Sequence, residues 1–296
     1  MNEAAVKVPT QADDAAWRQT RGGRFTASVI GKLFTEPRTL TAQHVREYCY
    51  LLPDTPVTAR TFKAELKVKI EEAGIVLFGD TALACIASKA AERLSCRTDN
   101  SATTRSMERG TLLEYGARIL LSKYWKEIDG ISWQGYGENS GATPDGLVEK
   151  GTETLDIKCP ESFGDLVLFE DAVPDGDFEA LESWNKGYAW QIMMQAKASG
   201  TKHAWLVYFT DRWPRIVITE EERRIVQQDI DEAADILGNL RGYPMFYRFD
   251  VDPDTNVAGF AYVAKRFELT EERSNRIDRV LKAAEDECQR FMALMS

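Results

Sequence analysis

The chain is 296 residues long, 44% hydrophobic and 28% charged, enough to bury one large core or two modest ones and ordinary for a soluble protein. It has no apolar run of membrane-spanning length, and its opening, Met1-Asn-Glu-Ala-Ala-Val-Lys-Val, is not of secretory type, so a cytoplasmic protein with no membrane partner is expected. A net charge of −10 and a pI near 5.0 exclude a broad basic surface, and the five scattered cysteines (Cys49, Cys85, Cys96, Cys159, Cys288) contain no C-x-x-C pair, which disfavours a zinc knuckle or an iron–sulfur site.

From the N-terminus, Thr26-Ala27-Ser28-Val-Ile-Gly-Lys-Leu-Phe opens on hydroxyl residues and continues with an apolar period of three to four, which predicts a helix capped by Thr26 or Ser28. A helix N-terminus presents free N–H groups to phosphate, and Arg21 and Arg24 stand close enough in sequence to add bidentate contacts; the competing reading is a plain cap beside two solvated arginines. Local basicity around Arg18, Arg21, Arg24 and Lys32 suits a confined nucleic-acid channel, while much of the acid falls in Glu161 to Glu182 and Glu220 to Asp235. Residues 40–100 read as mostly helical, with breaks at Leu52-Pro-Asp-Thr-Pro56 and at Gly79-Asp80. Met107 to Leu121 repeats apolar residues at helical spacing, with Leu113, Ala117 and Leu120 or Leu121 on one stripe. Glu114 adjoins that stripe and either points toward a sheet or pairs on the surface with Arg118 at i+4; Glu108 is a backup carboxylate.

Strands are expected near 131–137, 144–149, 153–159, 203–209 and 215–218. The acidic stretch 161–183 reads as a loop or lid edge with a short helix. Gln191 and Gln195 repeat at i and i+4 and share a helix face, where an amide can hold a water or a phosphate oxygen or simply meet solvent. His203-Ala-Trp-Leu-Val-Tyr-Phe-Thr is a continuous apolar run, a strand buried on both faces that begins with a structural histidine. Helices at about 220–239 and 270–294 follow, joined by the aromatic segment at Tyr243-Pro-Met-Phe-Tyr-Arg-Phe. The last helix carries Ile277, Val280, Leu281, Ala284 and Cys288 on a stripe that packs on the core or on another subunit.

The segment that carries chemistry is Gly141-Ala-Thr-Pro144-Asp145-Gly-Leu-Val-Glu-Lys150-Gly151-Thr-Glu-Thr-Leu-Asp156-Ile157-Lys158-Cys159-Pro160. On a strand, Leu155, Ile157 and Cys159 point one way, into a core, while Asp156 and Lys158 point together the other way. A turn at Lys150-Gly151 folds the preceding short strand back and brings Asp145 beside Asp156. Two carboxylates so close repel each other unless a cation or proton lies between them, and oxygen-only ligation suits Mg²⁺ or Mn²⁺. Lys158 adds a positive charge able to orient a water nucleophile or to stabilise charge developing on a phosphodiester. The plain alternative is a solvated Asp-x-Lys pair after an ordinary Pro-Asp-Gly turn.

Four segments in order resemble the lambda-exonuclease family, the YqaJ-like viral recombinase nucleases, within the PD-(D/E)xK class. Pro144-Asp145 matches the PD, and Asp156-Ile157-Lys158 matches the (D/E)xK with Asp where Glu is frequent. Trp17-Arg-Gln-Thr-Arg21-Gly-Gly-Arg24-Phe-Thr26-Ala27-Ser28 resembles the opening motif, Gly110-Thr-Leu-Leu-Glu114-Tyr-Gly-Ala-Arg118 the helix whose Glu contributes to the metal site, and Tyr188-Ala-Trp-Gln191-Ile-Met-Met-Gln195 the helix after the catalytic strand. The resemblance spans about Trp17 to Arg215. It implies an α/β fold with a restriction-endonuclease-like mixed central sheet flanked by helices, with extra N- and C-terminal helices. One domain over 1–296 is expected, with its core at about 17–218 and a helical extension at about 219–296. By resemblance, Asp145, Asp156, Glu114 and the carbonyl of Ile157 hold Mg²⁺ or Mn²⁺, Lys158 positions the nucleophile, and Gln191 supports the site. Arg21 and Ser28, and less directly Arg24, inherit contact with a terminal 5′ phosphate. The implied activity is metal-dependent degradation of linear double-stranded DNA from its 5′ end, leaving 3′ single strands for a single-strand annealing recombinase. A homo-oligomer is implied as well, a ring-shaped trimer by analogy. The rivals are a structure-specific or restriction-type endonuclease with the same site and a catalytically silent DNA-binding protein.

Overall fold

The computed structural model describes residues 21–96, 104–242, 244–251 and 257–295, so Trp17 and Arg18 of the opening motif lie outside the described residues. In chain order the elements are β1 (Phe25–Thr26), α1 (Ala27–Leu33), α2 (Ala42–Tyr48) with a 3₁₀ turn (Cys49–Leu51), α3 (Phe62–Glu72), α4 (Asp80–Ser95) and α5 (Arg105–Tyr124). They continue with β2 (Gln134–Tyr136), β3 (Ser140–Ala142), β4 (Gly146–Val148), β5 (Glu153–Lys158), α6 (Phe163–Ala172), α7 (Phe178–Ser199), β6 (His203–Thr210), β7 (Ile216–Val217), α8 (Glu220–Arg241), β8 (Gly259–Glu268) and α9 (Glu271–Met295).

The fold is mixed α/β. Its main sheet has five strands in the order β4-β5-β6-β8-β7; β5 and β6 run parallel and the other neighbours antiparallel. A three-stranded sheet, β1-β3-β2, stands apart. Both faces of the main sheet are covered, which explains the unbroken apolar run of β6: Ala204, Leu206 and Tyr208 enter one core and Val207 and Phe209 the other. The first core joins α1, α4, α6, α7 and α9, with Trp190 fully buried at its centre; the second joins α5 and α8. Thus α9 packs its predicted stripe on the core of its own chain. A small third cluster, Leu40, Phe62, Leu66 and Ile70, holds α3.

Two expectations need correction. The region beyond residue 218 is not a purely helical extension, because β8 enters the main sheet beside β6, in register from His203↔Glu268 to Thr210↔Ala261. Its sequence, Gly-Phe-Ala-Tyr-Val-Ala-Lys-Arg-Phe-Glu, packs on both cores, so no apolar–polar alternation marks it, and its four aromatic or β-branched residues are offset by two Ala, a Lys and an Arg. The stretch 161–183 is also more ordered than a loop: Ser162 caps α6, and Asp177 caps α7 through a bond accepted from the Ala180 N–H at 2.9 Å.

Candidate active site

The site begins with a short hairpin. Glu149, Lys150 and Gly151 all adopt left-handed φ values (51°, 59° and 83°), and this tight turn returns the chain from β4 into β5. β4 pairs with β5 only from Val148↔Glu153 to Gly146↔Leu155. Beyond Leu155 the outer edge of β5 is therefore left by its neighbour, and Asp145, the residue just before β4, fills the gap with its side chain. Its N–H bonds to the Leu155 carbonyl at 2.9 Å, and its carboxylate accepts the Ile157 N–H at 2.6 Å. The N–H and C=O of a strand residue face the same neighbour, so the Ile157 carbonyl points to this edge too.

Asp156 and Lys158 leave β5 on the opposite face from Leu155 and Ile157, as alternation requires. Asp156 is buried, and its Oδ1 accepts bonds from the side-chain amides of Gln191 (2.8 Å) and Gln195 (2.7 Å) on α7. The Lys158 ammonium lies 2.6 Å from Oδ2 as an ion pair, yet Oδ2 receives no well-directed hydrogen bond. Glu114 reaches the same place from α5 across the second core. It bonds to Arg118 one turn along, and Arg118 in turn lies 3.7 Å from Asp145. Both readings of Glu114 thus hold in part: the i+4 pair forms, and it forms inside the site.

Carboxylates at Glu114, Asp145 and Asp156 face cations at Arg118 and Lys158, one negative charge in excess. Burial, followed by the charges of Glu114 and Asp156, pushes the Asp145 carboxyl well above the usual carboxylate range, against the pull of Arg118 and Lys158. Burial opposes the charge on Lys158, but Asp156 and Asp145 together outweigh it and hold the ammonium pKa above its ordinary value. A hard divalent cation suits this place: the ready donors are the oxygens of Asp145 and Asp156 and the Ile157 carbonyl, and the buried Asp156 Oδ2 has only the Lys158 ammonium beside it. A finished cage is not preformed, since among the described residues no three Asp, Glu, His or Cys side chains are gathered at metal-binding spacing. Glu114, turned to Arg118, is the ligand that would have to move.

The predicted phosphate residues also meet. Arg21 Nη2 donates to Ser28 Oγ at 2.9 Å, and Ser28 Oγ is 2.9 Å from Thr26 Oγ1. Thr26 is the N-cap of α1 but makes no side-chain cap bond, so the plain capping alternative for Ser28 does not describe the structure. Burial lowers the Arg21 pKa. The loop between them is pinned by α4: the Gly23 N–H donates to the buried Glu92 at 2.8 Å, and Arg93 donates to the Gly23 carbonyl at 2.7 Å. Gly23 has φ +68°, and a Cβ there would lie 2.5 Å from Arg93 Cγ. Arg24 turns elsewhere, with its guanidinium 5.9 Å from the centre of the Trp133 ring.

A cleft of about 570 Å³ opens beside Lys158, lined among others by Glu114, Ile157, Cys159, Trp184 and Tyr188. Glu108, the backup carboxylate, is not part of its lining. Glu161 and Asp165 are, so part of the acidic stretch adjoins the site. Sequence reasoning left one residue of the site open and did not give a site role to two others. Gln195 shares the face of Gln191 and is 1% exposed, a burial that the apolar Ile192, Met193 and Met194 beside it foreshadow. Arg118 was read only as a partner for Glu114, and Trp184 carried no signal.

The fold and the hairpin together give the arrangement that the sequence resemblance implies: an edge carboxylate, a strand Asp-x-Lys and a bracing helix on one mixed sheet. The same fold occurs in the alkaline exonuclease LHK-Exo from Laribacter hongkongensis, with a TM-score of 0.56 at 16% identity over 95% of each chain. It also occurs in a phage-related exonuclease from Haemophilus somnus 129PT, with a TM-score of 0.53 at 16% identity over 92% of this chain and 96% of the other. LHK-Exo in complex with dAMP matches with a TM-score of 0.51 at 14% identity, again over 95% of each chain. This is the fold that the resemblance to the lambda-exonuclease family implies. No protein-family model matches the sequence, and no curated protein is significantly similar to it.

Proposed function

We propose that the chain is a metal-dependent exonuclease that hydrolyses linear double-stranded DNA from its ends. The observation that carries this reading is the convergence of Asp145, Asp156 and Lys158 at an edge of β5 that no neighbouring strand among the described residues occupies. Asp145, Asp156 and the Ile157 carbonyl would hold Mg²⁺ or Mn²⁺, with Glu114 joining once released from Arg118. When bound, the metal supplies Lewis-acid stabilisation of the phosphodiester oxygens and lowers the pKa of a bound water. Lys158, fixed against Asp156, orients the attacking water and offsets the negative charge that builds on the phosphoryl oxygens. Gln191 and Gln195 fix Asp156 Oδ1 and leave Oδ2 toward the site. Cleavage forms a bond from the water oxygen to phosphorus and breaks the P–O3′ bond, and a proton from water ends on the 3′ oxygen of the released nucleotide.

Arg21 and Ser28, already paired, would take a terminal 5′ phosphate, and this supports 5′ to 3′ polarity with a 3′ single strand as product. That product suits a single-strand annealing recombinase as partner. A trimeric ring rests on the family resemblance alone.

The test uses linear duplex labelled at either strand end, with and without a 5′ phosphate and with and without Mg²⁺, beside closed circular duplex. Release of mononucleotides from the 5′-phosphorylated end, dependent on Mg²⁺ and with circles spared, is the expected result. Cutting of circles would establish an endonuclease instead, and no digestion of any substrate would favour a silent DNA-binding protein.

A further inference from the structure

The wall of the cleft beyond Lys158 is aromatic, and its origin is a break in α7. Asn185 leaves helical geometry (φ −153°, ψ 94°) and its side chain accepts the Tyr188 N–H at 3.1 Å, so the second half of the helix has a cap of its own. From that restart, Tyr188, Gln191 and Gln195 follow at helical spacing on one face. The two amides hold Asp156; Tyr188, one turn earlier, has its ring 4.9 Å from the Lys158 ammonium and lines the cleft. Gly187 lies just past the break and packs against α1, where a Cβ on Gly31 would come within 2.5 Å of its Cα, so the restart is held in place by backbone contact.

Trp184, on the other side of the break, is anchored edgewise: its indole N–H donates to the Tyr208 hydroxyl at 3.3 Å. Tyr208 is itself immobilised, 4% exposed and stacked on Phe169 at 4.1 Å between ring centres. Trp184 is only partly buried and lines the cleft together with Asn185 and Tyr188. A tethered indole at the mouth of a polar cleft is a ring whose position is set before any ligand arrives.

Charge decides what the cleft would hold. The charged residues that line it are Lys158 against Glu114, Glu161 and Asp165, so away from Lys158 the lining favours a neutral group over a phosphate. A nucleobase is neutral, presents a flat face to aromatic rings and carries polar edges for the surrounding carboxylates and amides. The cleft volume also falls in the range of sites that enclose a small ligand. We propose that Trp184 and Tyr188 form a nucleobase-stacking subsite for the nucleotide next to the phosphodiester held at Asp145 and Asp156. This rests on the exonuclease reading for its substrate but makes a separate claim: the protein grips the base as well as the backbone, without regard to its identity.

The test is binding of deoxyadenosine 5′-monophosphate against 2-deoxyribose 5-phosphate to the full chain in Mg²⁺ buffer, measured by calorimetry. Stacking predicts that the nucleotide binds roughly 5- to 150-fold more tightly than the base-free sugar phosphate. Trp184→Phe should keep most of that ratio and Trp184→Leu should lose much of it, each with a native circular-dichroism spectrum. In the activity arm, wild-type protein should cut duplex with an abasic terminal nucleotide more slowly, mainly through KM. Equal binding of the two ligands, or an unchanged ratio in a folded Trp184→Leu protein, overturns the subsite. The wild-type ligand comparison needs no variant to fold. If no DNA is digested at all, the exonuclease reading fails while the binding ratio still decides the stacking claim.

Discussion

The two ends of β5 both bury charge, and they treat it differently. At the start of the strand, Glu153 is 6% exposed and accepts bonds from Arg266 Nε (3.0 Å) and Trp205 Nε1 (2.5 Å), with His203 Nδ1 3.7 Å away. Burial works against its charge, but the hydrogen bonds from Arg266 and Trp205 outweigh it, and its pKa falls below the ordinary value. Three residues on, Asp156 shares its surroundings with Asp145 and Glu114, Oδ2 lacks a directed hydrogen bond, and the Asp145 pKa rises. The first cluster has a donor for each oxygen and is complete within the chain. The second carries one more carboxylate than cation, an imbalance that the divalent cation of the proposed function would offset.

The largest effect that would sharpen this contrast is at Lys158. Lys158→Ala removes the ammonium 2.6 Å from Asp156 and should lower kcat on linear duplex by roughly 10²- to 10⁴-fold, with the helical circular-dichroism signal retained. A loss below about tenfold would make Lys158 a mere counter-ion. At the other end, Glu153→Ala should do the reverse. It leaves Trp205 Nε1 without its acceptor and should cost roughly 1–3 kcal/mol in urea unfolding, with kcat within a few fold of wild type. Because the folded pKa of Glu153 is depressed, its stabilisation is present above the ordinary value of 4.5 and is lost as pH falls through the folded value. The stability difference between wild type and Glu153→Gln should therefore shrink on acidification. Unchanged urea stability of Glu153→Ala would break the comparison.

What was legible in the sequence followed from strict local rules. Strand alternation alone places Asp156 and Lys158 on one face and Leu155 and Ile157 on the other, and Lys150-Gly151 announces the turn that returns Asp145. Gln195 was ambiguous because an i, i+4 amide pair looks the same on a wet face as on a buried one; only the sheet decides that it meets Asp156. β8 was hidden for a related reason: burial on both faces erases the period of two, and the eight residue pairs that tie it to β6 join positions more than fifty apart in sequence. The cleft was the least legible, since Trp184 and Tyr188 line it on either side of a helix break that no proline marks.

A smaller effect is expected at the phosphate loop. Gly23→Ala places a methyl 2.5 Å from Arg93 Cγ at a φ of +68°, a strain on the order of 1 kcal/mol that displaces the loop between Arg21 and Ser28. KM for 5′-phosphorylated duplex should rise several-fold while kcat holds, and the difference between phosphorylated and unphosphorylated ends should narrow. An unaltered preference for phosphorylated ends would remove Arg21 and Ser28 from end recognition.

The subtlest prediction concerns stability without metal. A carboxyl whose folded pKa is raised favours folding only while protonated, so the contribution of Asp145 is complete below its ordinary value of 3.8 and is lost as pH rises through the folded value. Above pH 3.8 in EDTA, Asp145, crowded by Glu114 and Asp156, should therefore cost the fold stability as pH rises toward 8. Asp145→Asn keeps an oxygen for the Ile157 N–H while removing the charge, so it should raise Tm by a few degrees under those conditions. Added Mg²⁺ should reverse the order, because it stabilises only the protein that retains the carboxylate, and it should do so more strongly at higher pH as ligand deprotonation becomes easier. A lower Tm for Asp145→Asn in EDTA would mean that Arg118 and Lys158 already neutralise the cluster, and the distinction between the two ends of β5 would then be one of geometry alone.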